Sequence, residues 1–148
     1  MRSLRILLEK EFRQIFRNSV SDENRAHAAD QLGKLYADEG ELKKALACNR
    51  WIVASGLADR DDRFFFARFN LGLYHATLRQ PERALRAFRD LLDHHPGRVA
   101  EVADLFLRSP KTRSAIDQQP GLAEALLRTC PELFLAPADR HGEDRDEV

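Results

Sequence analysis

Apolar residues recur at steps of three and four along most of this chain, and Gly, Pro and short polar runs break the pattern at intervals. That is the signature of consecutive amphipathic helices. Over Ser3 to Val20, Leu4, Leu7, Leu8, Phe12, Ile15 and Phe16 share one face. The other face carries Arg2, Arg5, Lys10, Arg13 and Arg17 with Glu9 and Glu11. Ser21, followed by Asp22 and Glu23, starts a second helix, since a capping hydroxyl and early acids satisfy its positive end. A pair of helices then runs past Leu32, Tyr36 and Ala45 into a polar turn at Ser55 to Asp62, which Gly56 opens as a helix cap. A second pair runs from Phe65 to Pro96, which cannot supply the next backbone donor and ends it. Beyond it, Val99, Val102, Ala103, Leu105 and Phe106 mark one more helix, and Ser109 caps a short one that begins at Pro110. Pro120-Gly121 opens the last, over Leu122 to Leu127, and Pro131 with Leu133 and Phe134 closes the ordered part. The expected fold is all-α. It has an amphipathic helix at 1–20, two helical hairpins at 21–97, a helical cap at 98–136 and a polar, disordered tail at 137–148.

The second hairpin carries a spaced motif. Counted from Phe65, Leu71 and Gly72 fall at positions 7 and 8, Ala84 at 20, Phe88 at 24 and Pro96 at 32. Small residues at Gly72 and Ala84 let two antiparallel helices approach, while Leu71 and Phe88 fill the seam. This closely resembles a tetratricopeptide repeat, a helix–turn–helix unit of roughly 34 residues. Counted from Ala26, a weaker copy places Leu32 and Gly33 at positions 7 and 8, Tyr36 at 11, Gly40 at 15 and Ala45 at 20. Asn49 and Leu57 stand where an aromatic and a proline are usual, and the two glycines Gly33 and Gly72 lie 39 residues apart. The resemblance implies a right-handed superhelix of two such hairpins, with flanking helices capping the apolar faces at either end.

Composition narrows the function. With 24 basic and 24 acidic side chains the net charge is zero, so no nucleic-acid partner is expected. No apolar run reaches the length of a membrane span, so no membrane insertion is expected. Charges at Arg5, Glu9, Lys10 and Glu11 break any signal-peptide core, which makes a cytoplasmic protein the expectation. Cys48 and Cys130 stand apart as free thiols. The sequence holds no phosphate-binding Gly loop, HExxH, nucleophile elbow or Cys cluster. Adjacent histidines at His94-His95 point about 100° apart on a helix and suit a shared metal poorly. Neither an enzyme nor a cofactor is expected.

Binding of another protein is the expected function. In the tetratricopeptide family the first helix of each repeat lines a concave groove. The resemblance implies that His27, Asp30, Lys34 and Asp38 face it from the first repeat. From the second it implies Phe66, Phe69, Leu73 and Thr77, with Asn70 at a neighbouring position; Phe66, Phe69 and Leu73 either form an aromatic anchor site for a partner or are buried under a neighbouring helix. The partner would be a peptide or helix segment, and the chain an adaptor or scaffold. A dedicated client chaperone or co-chaperone, like those holding type III secretion translocators, and a regulatory subunit of an enzyme are the alternatives. Self-association through the N-terminal helix is a further expectation.

Overall fold

The computed structural model describes residues 2–134, with side chains from Leu4 onward. The expected tail at 137–148 and the end of the 98–136 segment lie outside the described residues. Among the described residues there are nine α-helices and no strand, so the fold is all-α. They are α1 (Arg2–Asn18), α2 (Asp22–Asp38), α3 (Leu42–Ala54), α4 (Leu57–Arg60), α5 (Ala67–Thr77), α6 (Pro81–His94), α7 (Val99–Arg108), α8 (Pro110–Asp117) and α9 (Pro120–Thr129). Short 3-10 turns add Asp62–Phe64, Pro96–Arg98 and Pro131–Phe134. The chain divides into two compact units, Met1–Tyr74 and His75–Val148. That division falls inside α5.

In the first unit, α2 packs against both α1 and α3. Ser21 accepts a hydrogen bond from the Asn24 amide at 3.3 Å, so the capping hydroxyl starts α2 as its sequence implied. Leu32, Tyr36 and Ala45 form one buried cluster, against which Phe12, Cys48 and Tyr74 pack. Ala26, Ala29, Ile52, Leu57, Ala58, Phe64 and Ala67 form another, joined by Phe16 and Trp51. Phe16 and Trp51 meet edge to face with ring centroids 5.0 Å apart. Gly33 is small for a visible reason: a Cβ there would lie 3.3 Å from Asn49 Nδ2 and 3.5 Å from Cys48 Cβ. Asn49 is only 3 % exposed, and its amide donates to the Ala45 carbonyl at 2.9 Å. A polar side chain thus sits in the seam between α2 and α3, and its hydrogen bond offsets the desolvation.

Two features of this unit correct the expectations. The residues Ser55 to Asp62 are not merely a polar turn, because Leu57 and Ala58 are buried and lie on the short helix α4. Gly56 does cap α3, with φ +84°. On α1 the face turned to the unit holds Leu8, Phe12 and Phe16, whereas Leu4, Leu7 and Ile15 are exposed. The broad apolar stripe is therefore covered on one side only.

The second unit packs α6 against α9, α7 against α8, and α8 against α9. Its buried residues include Ala84, Phe88, Leu91, Val102, Phe106, Ile116, Leu122, Leu126 and Leu133. Ser109 caps α8, accepting from the Thr112 amide at 3.3 Å. Arg89 ties α6 to the chain end, donating to the Thr129 carbonyl at 2.7 Å and to Glu132 at 2.8 Å.

The turns that follow α2 and α5 are built alike. After α2, the Glu41 amide reaches back to the Tyr36 carbonyl at 2.8 Å and the Gly40 amide to Ala37 at 3.1 Å. After α5, the Gln80 amide reaches His75 at 2.9 Å and the Arg79 amide reaches Ala76 at 3.0 Å. Both are the closing pattern in which the residue past the cap turns left-handed. Gly40 takes that conformation at φ +79° without steric cost, while Arg79 adopts it at φ +59° against its Cβ. Arg79→Gly is therefore expected to stabilise the protein by about 0.5–1 kcal/mol, read as a higher urea midpoint. An unchanged midpoint would mean that contacts of the Arg79 side chain offset the backbone strain.

Candidate functional site

The outward face of α2 carries most of the expected groove residues of the first hairpin. His27, Lys34 and Asp38 are exposed and Asp30 is half-buried. Helical spacing explains why: steps of three and four keep them on one stripe, while Ala26, Ala29, Leu32, Gly33 and Tyr36 turn to the core. Lys34 Nζ sits 3.1 Å from Asp30 Oδ2, one turn away, a solvated pair of small energetic weight. Asp38 has no ion-pair partner among the described residues. Tyr74 of α5 packs on the Leu32–Tyr36–Ala45 cluster at the edge of this face. Burial raises the Tyr74 phenol above its usual range, and the carboxylates of Asp30 and Asp38 raise it further. The phenol stays neutral there and presents a hydrogen-bonding group beside two acids.

The expected groove residues of α5 do not all reach a surface. Phe66 is 37 % exposed, stacked edge to face on Phe65 at 4.9 Å. Phe69 is only 5 % exposed, so its expected role as an aromatic anchor is corrected: it is core. The physical reason is its position on α5: Phe69 and the buried Ala76, seven residues on, fall on the same side of the helix. Asn70 is half-buried, and its amide donates to Asn49 Oδ1 at 3.4 Å instead of standing free. Leu73 is half-buried. Thr77 is exposed but belongs to the second unit. Of the seam residues, Leu32, Gly33, Tyr36, Ala45, Gly72, Ala84 and Phe88 are buried, Leu71 is half-buried and Pro96 follows the end of α6.

Sequence reasoning overlooked two features. The first is a polar staple between α1 and α2. Tyr36 OH accepts from Arg13 Nε at 3.0 Å and Nη2 at 2.8 Å, and donates to Glu9 Oε1 at 3.1 Å. Arg13 and Glu9 pair at 2.7 Å. Burial raises the Tyr36 phenol although Arg13 pulls the other way, and the hydrogen bond to Tyr36 raises the Arg13 guanidinium above its ordinary value. The tyrosine is therefore a neutral hub that fixes the roll of α1. The second feature is an open groove of about 840 Å³ with Leu4, Ile6, Leu8 and Leu35 on its apolar side and Arg5, Glu39 and Lys44 on its rim. Its only signal in the sequence was the unusual width of the apolar arc on α1.

Other candidate chemistry dissolves into packing. Burial pushes the Cys48 thiol up to about 11, and it also raises Cys130, so neither is a ready thiolate. His75 is buried, donating from Nδ1 to Gln80 Oε1 at 2.7 Å. His94 donates to the Asp90 carbonyl at 2.8 Å. Among the described residues, no three His, Cys, Asp or Glu side chains are grouped to hold a metal ion. No described helix is long and apolar enough to cross a membrane. Compared with known proteins, the chain matches no family model, no curated protein and no solved structure.

Proposed function

We propose that the chain is a non-catalytic protein-binding module, an adaptor or scaffold built on two hairpins of tetratricopeptide type. The observation that carries this reading is the repeated hairpin turn. Tyr36 to Glu41 and His75 to Gln80, 39 residues apart, close with the same pair of backbone hydrogen bonds. Each turn is followed by a helix that places an alanine, Ala45 or Ala84, at zero exposure. Within the first unit, the outward face of α2 with His27, Lys34 and Asp38, beside Tyr74, is the binding surface, and the exposed Phe66 ahead of α5 is its aromatic contact. It offers one solvated acid, a neutral phenol and a half-exposed aromatic, groups that suit an extended or helical segment of another protein.

Affinity capture by the full chain, compared across single variants, tests this. Asp38→Lys and Phe66→Ala alter exposed side chains and should each lower capture of the same partner several-fold without changing the fold. Lys43→Glu, on the exposed side of α3, should leave it unchanged. Equal capture by all three would remove this face from the binding surface. Substrate turnover by the purified chain with stoichiometric metal would overturn the non-catalytic reading.

A further inference from the structure

We infer that the outward face of α1 is a second docking surface, separate from the α2 face. Its occupant is an amphipathic helix of another protein with a Lys or Arg in the middle of its apolar stripe. The face is uncommonly apolar for water-exposed helix. Leu4 is 59 % exposed, Leu7 62 % and Ile15 39 %, while Leu8, Phe12 and Phe16 turn inward. Leu4, Leu7, Glu11 and Ile15 follow one another at steps of three, four and four residues, so they form a single line along the helix. The staple of Tyr36 by Arg13 and Glu9 holds that line away from the unit. The groove beside it, floored by Leu4, Leu8 and Leu35, extends the apolar surface toward α2.

Glu11 decides what can cover this line. It is exposed, has no ion-pair partner among the described residues, and sits between Leu7 and Ile15. A lipid surface that took up Leu7 and Ile15 would also have to take up the carboxylate between them, which is costly without a counter-charge. A second copy fares no better. Glu11 lies four residues from both Leu7 and Ile15, so the antiparallel register that stacks Leu7 of one copy on Ile15 of the other sets the two Glu11 carboxylates face to face. A different helix, carrying leucines or isoleucines on either side of one cation, satisfies the apolar residues and the charge together.

The test uses a displayed library of amphipathic helices, each with a Leu/Ile stripe and a randomised central residue, selected on the full chain. Counter-selection is on Leu7→Asp, an exposed substitution whose fold is verified by its urea melt. Lys and Arg should be enriched roughly tenfold at the central position on the parent. On Glu11→Lys the preference should invert to Asp and Glu. Enrichment of neutral or acidic centres on the parent, or none beyond the Leu7→Asp background, would overturn the proposal. So would sedimentation showing a dimer that Leu7→Asp dissolves, or co-flotation with phosphatidylserine vesicles that the same variant abolishes.

Discussion

Phe88→Ala is expected to cost about 3–5 kcal/mol of stability, the range for deleting a fully buried ring that its surroundings cannot close over. Phe88 is 1 % exposed and sits on α6, where Leu91 and Leu92 one turn on are likewise buried. Its ring meets Phe106 of α7 edge to face, with centroids 4.7 Å apart and planes at 68°. That geometry sets the positive edge of one ring on the negative face of the other, a term lost in addition to the buried area. Helices on both sides of the ring limit relaxation, so the cavity persists. Small domains have only about 5–15 kcal/mol in total, so the variant approaches the limit of folding at ambient temperature. Equilibrium urea unfolding measures the effect, with Phe88→Leu as a control that keeps most of the volume and is expected to lose less than half as much. A loss under about 1 kcal/mol for Phe88→Ala would show that the ring is not enclosed as described.

How much of this was legible in the residues differs from element to element. Helix ends were, because caps act locally: Ser21 and Ser109 each accept a hydrogen bond from an amide three residues on, and Gly56 turns left-handed where α3 stops. Pro110 and Pro120 each stand at the first helical turn, where the missing donor is harmless. Which side of a helix would be covered was not legible. On α1 the apolar residues span so wide an arc that periodicity alone admits two choices, and the choice rests on Arg13 and Glu9 finding Tyr36, 23 and 27 residues away. Phe69 was left open between groove and core for the same kind of reason. Position within a repeat says which side of a helix a residue occupies, but a large apolar side chain at its edge is drawn into the nearest core. Asn49 looked like a departure from the repeat until Gly33 and Ala45 were placed beside it, where a short polar side chain that bonds its own helix fits the narrow seam.

Deleting residues 1–20 is expected to abolish cooperative unfolding of the first unit or to drive aggregation. The inner face of α1 contributes Phe12 to the Leu32–Tyr36–Ala45 cluster and Phe16 to the cluster around Ala26, Ile52 and Leu57. Each ring is half-buried, so the loss of each costs about half of the roughly 1.5–3 kcal/mol that full burial would contribute. The deletion also leaves the Tyr36 hydroxyl without Arg13 and Glu9, at about 1–3 kcal/mol if water does not replace them fully. Trp51 loses its edge-to-face partner Phe16 as well. Together these approach the lower end of the total stability of a small domain, before counting the apolar surface newly exposed on α2. The outward residues contribute differently. Leu4 and Leu7 are already in water, so the double variant Leu4→Lys/Leu7→Lys should melt within about 0.5 kcal/mol of the parent. The pair of measurements separates the two faces: truncation should collapse the urea transition, and the double lysine variant should preserve it. A truncated chain that unfolds cooperatively at the parent midpoint would show that α2 and α3 stand without α1. A double variant that collapses like the truncation would show that Leu4 and Leu7 are not in water at all.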